Sequence, residues 1–108
     1  MTSTLVQSSV DTRDKVIAIL RQQAEIARSS HATALYLFGS AARGELTTDS
    51  DVDVFIDYDR NEAPTLIDLG RLERQLALVL NRRVDLTTRD GLHPQLRADI
   101  EAEAVRVF

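Results

Sequence analysis

The sequence predicts an α/β or α+β fold, one sheet of three to four strands with helices packed against it. Three observations predict it. Short runs of strand-forming residues alternate with longer segments whose apolar residues recur at helical spacing. At 108 residues there is room for one domain with one core. The hydrophobic fraction of 44% and the charged fraction of 28% are those of a globular protein.

Residues 1–10 read as a flexible tail, leaving 11–108 as a single domain. From Asp11 or Thr12 a helix is predicted, with Val16, Ile19, Leu20, Ala24 and Ile26/Ala27 at helical spacing and Ser29-Ser30 ending it. "ALYLF", Ala34 to Phe38, reads as a buried strand that stops at Gly39. "SAAR" then forms a brief helical turn, with Ser40 as its cap and Gly44 as its terminator. "DVDVFID", Asp51 to Asp57, alternates as a strand does. Pro64 opens a long helix whose stripe is Leu69, Leu72, Leu76 and Val79/Leu80, and Asn81 ends it. "RVDLT", Arg83 to Thr87, is a third strand. Pro94 starts a last helix carrying Leu96 and Ile100, and the terminal "VRVF" is a candidate edge strand.

Composition excludes several classes. With no cysteine, neither a disulfide framework nor a thiolate metal site is available. "MTSTLVQSSVDTRD" lacks the basic start and apolar run of a secretory signal, and no apolar stretch approaches a membrane span. The expected location is therefore the cytoplasm, with no membrane partner. Seventeen acidic residues against 13 basic ones give a net charge of −4. That argues against a broad grip on nucleic acid, which needs a basic face. A nucleotide remains open, because bound cations supply positive charge locally.

The candidate chemistry lies around the second strand. Period-two geometry sends Asp51 and Asp53 to one face and Val52, Val54 and Ile56 to the other. Two like charges at about 4 Å repel by roughly 4 kcal/mol at an effective dielectric near 20. A divalent cation reverses that sign, and Mg²⁺ favours carboxylates together with phosphate oxygens and water. Taken alone, Asp-x-Asp reads equally as a metal pair or as charges that keep an edge strand wet. Calcium is excluded: a loop starting at Asp49 would need Gly at its sixth position and Glu at its twelfth, where Val54 and Arg60 stand.

"FGSAARGE" narrows the choice. Gly39 and Gly44 flank four residues as in a P-loop, but Glu45 and Leu46 follow instead of Lys and Ser/Thr. Gly39-Ser40, ten residues and then Asp51-x-Asp53 resembles the superfamily that includes DNA polymerase β, and within it the minimal nucleotidyltransferases. "SDVDVFI", "RRVDLTT" and "LHPQLRADIEAEAVRVF" extend the match. The last resembles that class's Leu-x-Pro-x-Leu-Arg-x-x-Ile-x-x-Glu ending, and the likeness runs from Leu35 to Phe108.

The resemblance implies the small nucleotidyltransferase fold, a mixed sheet with helices against it, and an enzyme. Gly39 and Ser40 would cradle the triphosphate of ATP, with free N–H groups of the turn aimed at the anion. Asp51, Asp53 and Asp85 would hold two Mg²⁺ ions, Asp85 also helping to deprotonate the attacking hydroxyl. Asp85 has a plainer reading as a solvent-facing strand residue, since Val84 and Leu86 take the opposite face. Arg43 is open between phosphate and a pair with Glu45. His31 and His93 read as loop or capping residues.

The acceptor is not written in the residues. Larger relatives carry an added domain for it, and no segment here is left to build one. Small proteins of this class commonly accompany a HEPN ribonuclease toxin and neutralise it by moving AMP to a toxin tyrosine. The resemblance therefore implies a toxin–antitoxin pair in a hetero-oligomeric complex. Two alternatives stand beside it: an antitoxin that only masks its toxin, and a small-molecule nucleotidyltransferase of the aminoglycoside-modifying type.

Overall fold

In the computed structural model, residues 12–108 are described, so the expected N-terminal tail lies outside the described residues. The elements are helices α1 (Arg13–Arg21) and α2 (Ala24–Ser29), strand β1 (Ala32–Phe38), the single turn α3 (Gly39–Ala42) and strand β2 (Val52–Tyr58). Helix α4 (Leu66–Leu80), strand β3 (Val84–Thr88), helix α5 (Arg97–Glu103) and strand β4 (Val105–Arg106) follow. The four strands form one mixed sheet in the order β3-β2-β1-β4. β1 runs antiparallel to β2 and β4, while β2 and β3 are parallel.

The two faces of the sheet have different jobs. Leu35 and Leu37 of β1 pair with Ile56 and Val54 of β2, and all four are fully buried. Val16 and Leu20 of α1 and Leu72, Leu76 and Leu80 of α4 join them in one apolar cluster. The opposite face carries Tyr36, Phe38, Asp53, Phe55 and Asp57, set there by the same alternation. Phe55 stacks on Tyr36, ring centroids 4.8 Å apart, and the Arg89 guanidinium lies 4.9 Å from each centroid. Among the described residues no helix is long and apolar enough to cross a membrane.

Several boundaries differ from the sequence reading. The first helix breaks at Gln22-Gln23, whose N–H groups bond back three residues to Ile19 and Leu20 instead of four. The re-aimed axis buries Ala27 and leaves Ile26 exposed. Ser40 does not cap α3; Phe38 holds that position without a side-chain bond. Gly44, with φ +73°, does end it: Gly44 N–H bonds the Ala41 carbonyl and Glu45 N–H bonds the Ser40 carbonyl. Pro64 lies outside α4, which opens on a Thr65–Asp68 capping box. α5 starts at Arg97, three residues after Pro94, and Leu96 is exposed in front of it.

Candidate active site

Asp53 is the centre of the site. It pairs with Phe38 of β1 on one side and with Asp85 of β3 on the other. Parallel pairing in that register sets the Asp53 and Asp85 residues side by side on the face away from the core. Asp51 stands one residue before β2. Burial pushes the Asp53 carboxyl above the usual carboxylate range, Asp85 and then Asp51 push it further, and Arg43 opposes them. Like charges thus converge on a half-buried group, and a cation is what relieves them.

The turn after β1 closes on the same carboxylate. Gly39 has φ +72°, and a Cβ there would overlap Asp53 Oδ2. Only glycine allows the backbone and the carboxylate to meet. The Gly39 N–H is not free, however: it donates to Glu103 Oε2 at 2.9 Å. Arg43 donates to Glu45 Oε1 and to Glu103 Oε1, each at 2.9 Å. Of the two readings open for Arg43, the structure supplies the carboxylate pair and adds a second carboxylate to it.

Asp51 lies nearer to solvent. Arg83 Nε pairs with its Oδ1 at 3.0 Å, with both side chains well exposed, so the pair contributes little stability. An open cleft of about 580 Å³ runs past Asp51 and Asp85, bounded by Gly70, Glu73 and Arg74 of α4 and by Arg83. The loop on the other side of Asp51 is held by Arg82, whose Nη1 bonds the Thr47 and Ser50 carbonyls at 2.7 and 3.1 Å.

These residues fit Mg²⁺. Among the described residues no three carboxylate or imidazole side chains already close into a cage. Mg²⁺ does not require one, since it takes one or two carboxylates and completes its shell with phosphate oxygens and water. Asp53 with Asp85 beside it, and Asp51 at the strand entrance, are donors of that kind.

The nucleotidyltransferase domain family matches residues 15–107, from the first helix through β4. The chain belongs to that family. A provisionally named protein adenylyltransferase of Methanocaldococcus jannaschii is 33% identical to this nucleotidyltransferase over 98 residues, 89% of this chain and 98% of its own. Protein adenylyltransferase MntA of Thermococcus cleftensis is 38% identical over 71 residues, 66% of this chain and 70% of its own. A chain of the solved complex between a tri-AMPylated HEPN toxin of Shewanella oneidensis and its MNT antitoxin shares the fold. Its TM-score is 0.63 at 17% identity, over 90% of this chain and 72% of that one.

In this nucleotidyltransferase the fold brings Asp53, Asp85, Gly39 and Arg43 together, with Asp51 at the margin and Ser40 next to Gly39 in the turn. Glu103 and Arg83 were not singled out in the sequence. Arg83 directly precedes the third strand, and Glu103 is the Glu of the Ile-x-x-Glu ending. Both were visible as positions, but their contacts span 32 residues in one case and 64 in the other.

Proposed function

We propose that this nucleotidyltransferase moves AMP from ATP, with Mg²⁺, onto a tyrosine of a cognate HEPN ribonuclease toxin, and so acts as its antitoxin. The observation that carries the proposal is the Asp53–Asp85 pairing in contact with Gly39. It supports a site that gathers carboxylates where a phosphate chain and its metal would meet. The names of the two relatives, both protein adenylyltransferases, support a protein acceptor. The complex of an AMPylated HEPN toxin with a protein of this fold supports the choice of partner.

In this reading the acceptor hydroxyl attacks the α-phosphorus of ATP. The new O–P bond forms as the bond to pyrophosphate breaks, and the hydroxyl proton passes to Asp85. Bound Mg²⁺ would supply charge neutralisation for the phosphates and the leaving group. Asp51, Asp53 and Asp85 would hold it, while Gly39 and Ser40 fix the turn against which the phosphates lie. The cleft beside Asp51 and Asp85 opens to solvent and leaves room for a side chain presented by another protein.

The test is incubation with Mg-ATP and the cognate HEPN protein, followed by the intact mass of that protein. Mass gains in steps of one AMP are expected with the wild type and none with Asp51→Asn/Asp53→Asn. A toxin neutralised equally by both forms, its mass unchanged, would mean that masking replaces catalysis. AMP appearing instead on an aminoglycoside would sink the protein-acceptor reading.

A further inference from the structure

Helix α3 is a single turn, too short to hold itself together by its own hydrogen bonds. Its first residue has a positive φ and its N-cap Phe38 supplies no side-chain bond. Something else must fix Gly39 against Asp53. Ala41 and Ala42 are buried in the core and anchor the middle of the turn. Its two ends are held by one carboxylate. Glu103 Oε2 accepts the Gly39 N–H and Glu103 Oε1 accepts Arg43 Nη1, both at 2.9 Å.

Glu103 is itself held firmly. It is the last residue of α5, and two residues later Val105 pairs with Leu37, near the point where β1 runs into Gly39. Strand β4 thus brings the end of α5 back to the start of the turn. The hydrogen bond from Gly39, and after it that from Arg43, hold the Glu103 carboxyl below its ordinary range, so it is ionised when it grips them. Such charge-assisted bonds are about twice as strong as neutral ones. The side chain is largely covered, with 29% of its surface exposed.

We propose that Glu103 is a positioning residue of the nucleotide site: its carboxylate clamps Gly39 and Arg43 in register with Asp53 and so sets nucleotide affinity. The proposal rests on reading the Gly39 turn as that site. Glu103 acts through the turn and makes no contact with the reacting phosphorus. It gives a role to the Glu of the terminal motif. It also gives a role to the short strand β4, which holds the end of α5 beside the end of β1 that leads into Gly39. A competing arrangement has the opposite sign. If Glu103 merely occupied a phosphate position, removing it would tighten nucleotide binding.

The test is calorimetric titration of the full chain with the Mg²⁺ complex of α,β-methylene-ATP, a non-reacting analogue. Glu103→Ala is expected to weaken binding about tenfold or more, the order expected for losing charge-assisted bonds. Glu103→Gln can still accept from Gly39 but sets an amide against Arg43, and should fall between the two. It also serves if the alanine variant does not fold. Adding Arg43→Gln to Glu103→Gln should then cost little more, because both changes break one clamp. Glu101→Gln, on the same helix but bonded to Arg89, is the control and should bind as the wild type does. Unchanged or tighter binding by both Glu103 variants would overturn the proposal, as would an equal loss in Glu101→Gln. A wild type that binds no nucleotide would fail the underlying site reading, a different and separable result.

Discussion

Asp53 and Asp85 face each other across the parallel pairing of β2 and β3. The Asp53 carboxyl is raised by burial first and then by Asp85 and Asp51. A raised folded value means that the folded protein holds this proton more tightly than the unfolded chain, whose reference is 3.8. Stability from this group is therefore present below that reference and is lost as pH rises through the folded value. In EDTA, Asp53→Asn should gain on the wild type as pH rises from about 4 to 7. Added Mg²⁺ should reverse the order by stabilising only the wild type. Thermal melts at each pH check this, and parallel curves in EDTA would contradict it.

Two glycines of one turn give a sharper contrast. Gly39 and Gly44 have nearly the same φ, +72° and +73°, but a Cβ at Gly39 meets Asp53 while one at Gly44 meets nothing within 4 Å. Gly44→Ala should cost only the left-handed strain, about 1 kcal/mol, and keep AMP transfer. Gly39→Ala should push the turn off Asp53 and lower transfer by at least about a hundredfold, because a misplacement near 1 Å is that costly. Melting temperature and transfer rate, measured on both variants, separate the two effects. Equal losses of activity would remove the close approach as the explanation.

The long helix depends on a local signal. Thr65 Oγ1 accepts the Asp68 N–H at 3.1 Å and Asp68 Oδ2 accepts the Thr65 N–H at 2.9 Å. Thr65→Ala should cost about 1 kcal/mol, and Thr65→Ser much less. Denaturant melts give both numbers. Thr65 and Asp68 do not line the cleft past Asp51 and Asp85, so AMP transfer should survive either change. A serine variant no more stable than the alanine one would show that the hydroxyl is not the cap.

How much of this was legible depends on the range of each interaction. The side on which Asp53 and Asp85 fall follows from strand alternation, a property of neighbouring residues, and it was readable. So was the end of α4 at Asn81, which has the left-handed conformation expected of a helix terminator. The break at Gln22-Gln23 was not, because Val16, Leu20, Ala24 and Ala27 keep a helical spacing straight through it. Nearby, Arg21 Nε bonds the Val107 carbonyl at 3.0 Å, a contact with the far end of the chain. The same limit hid the clamp on Gly39. Its glycine was readable as a backbone approach, but the partner of its N–H lies in α5 and depends on β4 pairing with β1. Strand order, which places Asp85 beside Asp53, is likewise a property of the whole sheet.

Arg89 sits over the aromatic face of the sheet. It ties the aromatic face together, with Nε and Nη2 on Asp57 at 2.7 and 3.0 Å and Nη1 on Glu101 at 2.7 Å. Its flat guanidinium also covers Tyr36 and Phe55. Arg89→Ala should cost roughly 1–3 kcal/mol, and Arg89→Lys should recover less than half, since an ammonium can neither fork nor stack. The bond from Arg89, aided by Arg97, holds the Glu101 carboxyl below its reference of 4.5. A depressed folded value places this stabilisation above the unfolded reference and removes it as pH falls through the folded one. The stability gap between the wild type and Glu101→Gln should therefore be present at neutral pH and close on acidification below about 4.5. Thermal melts of both proteins across that range measure the gap, and one that stayed constant would detach Glu101 from the acid limb.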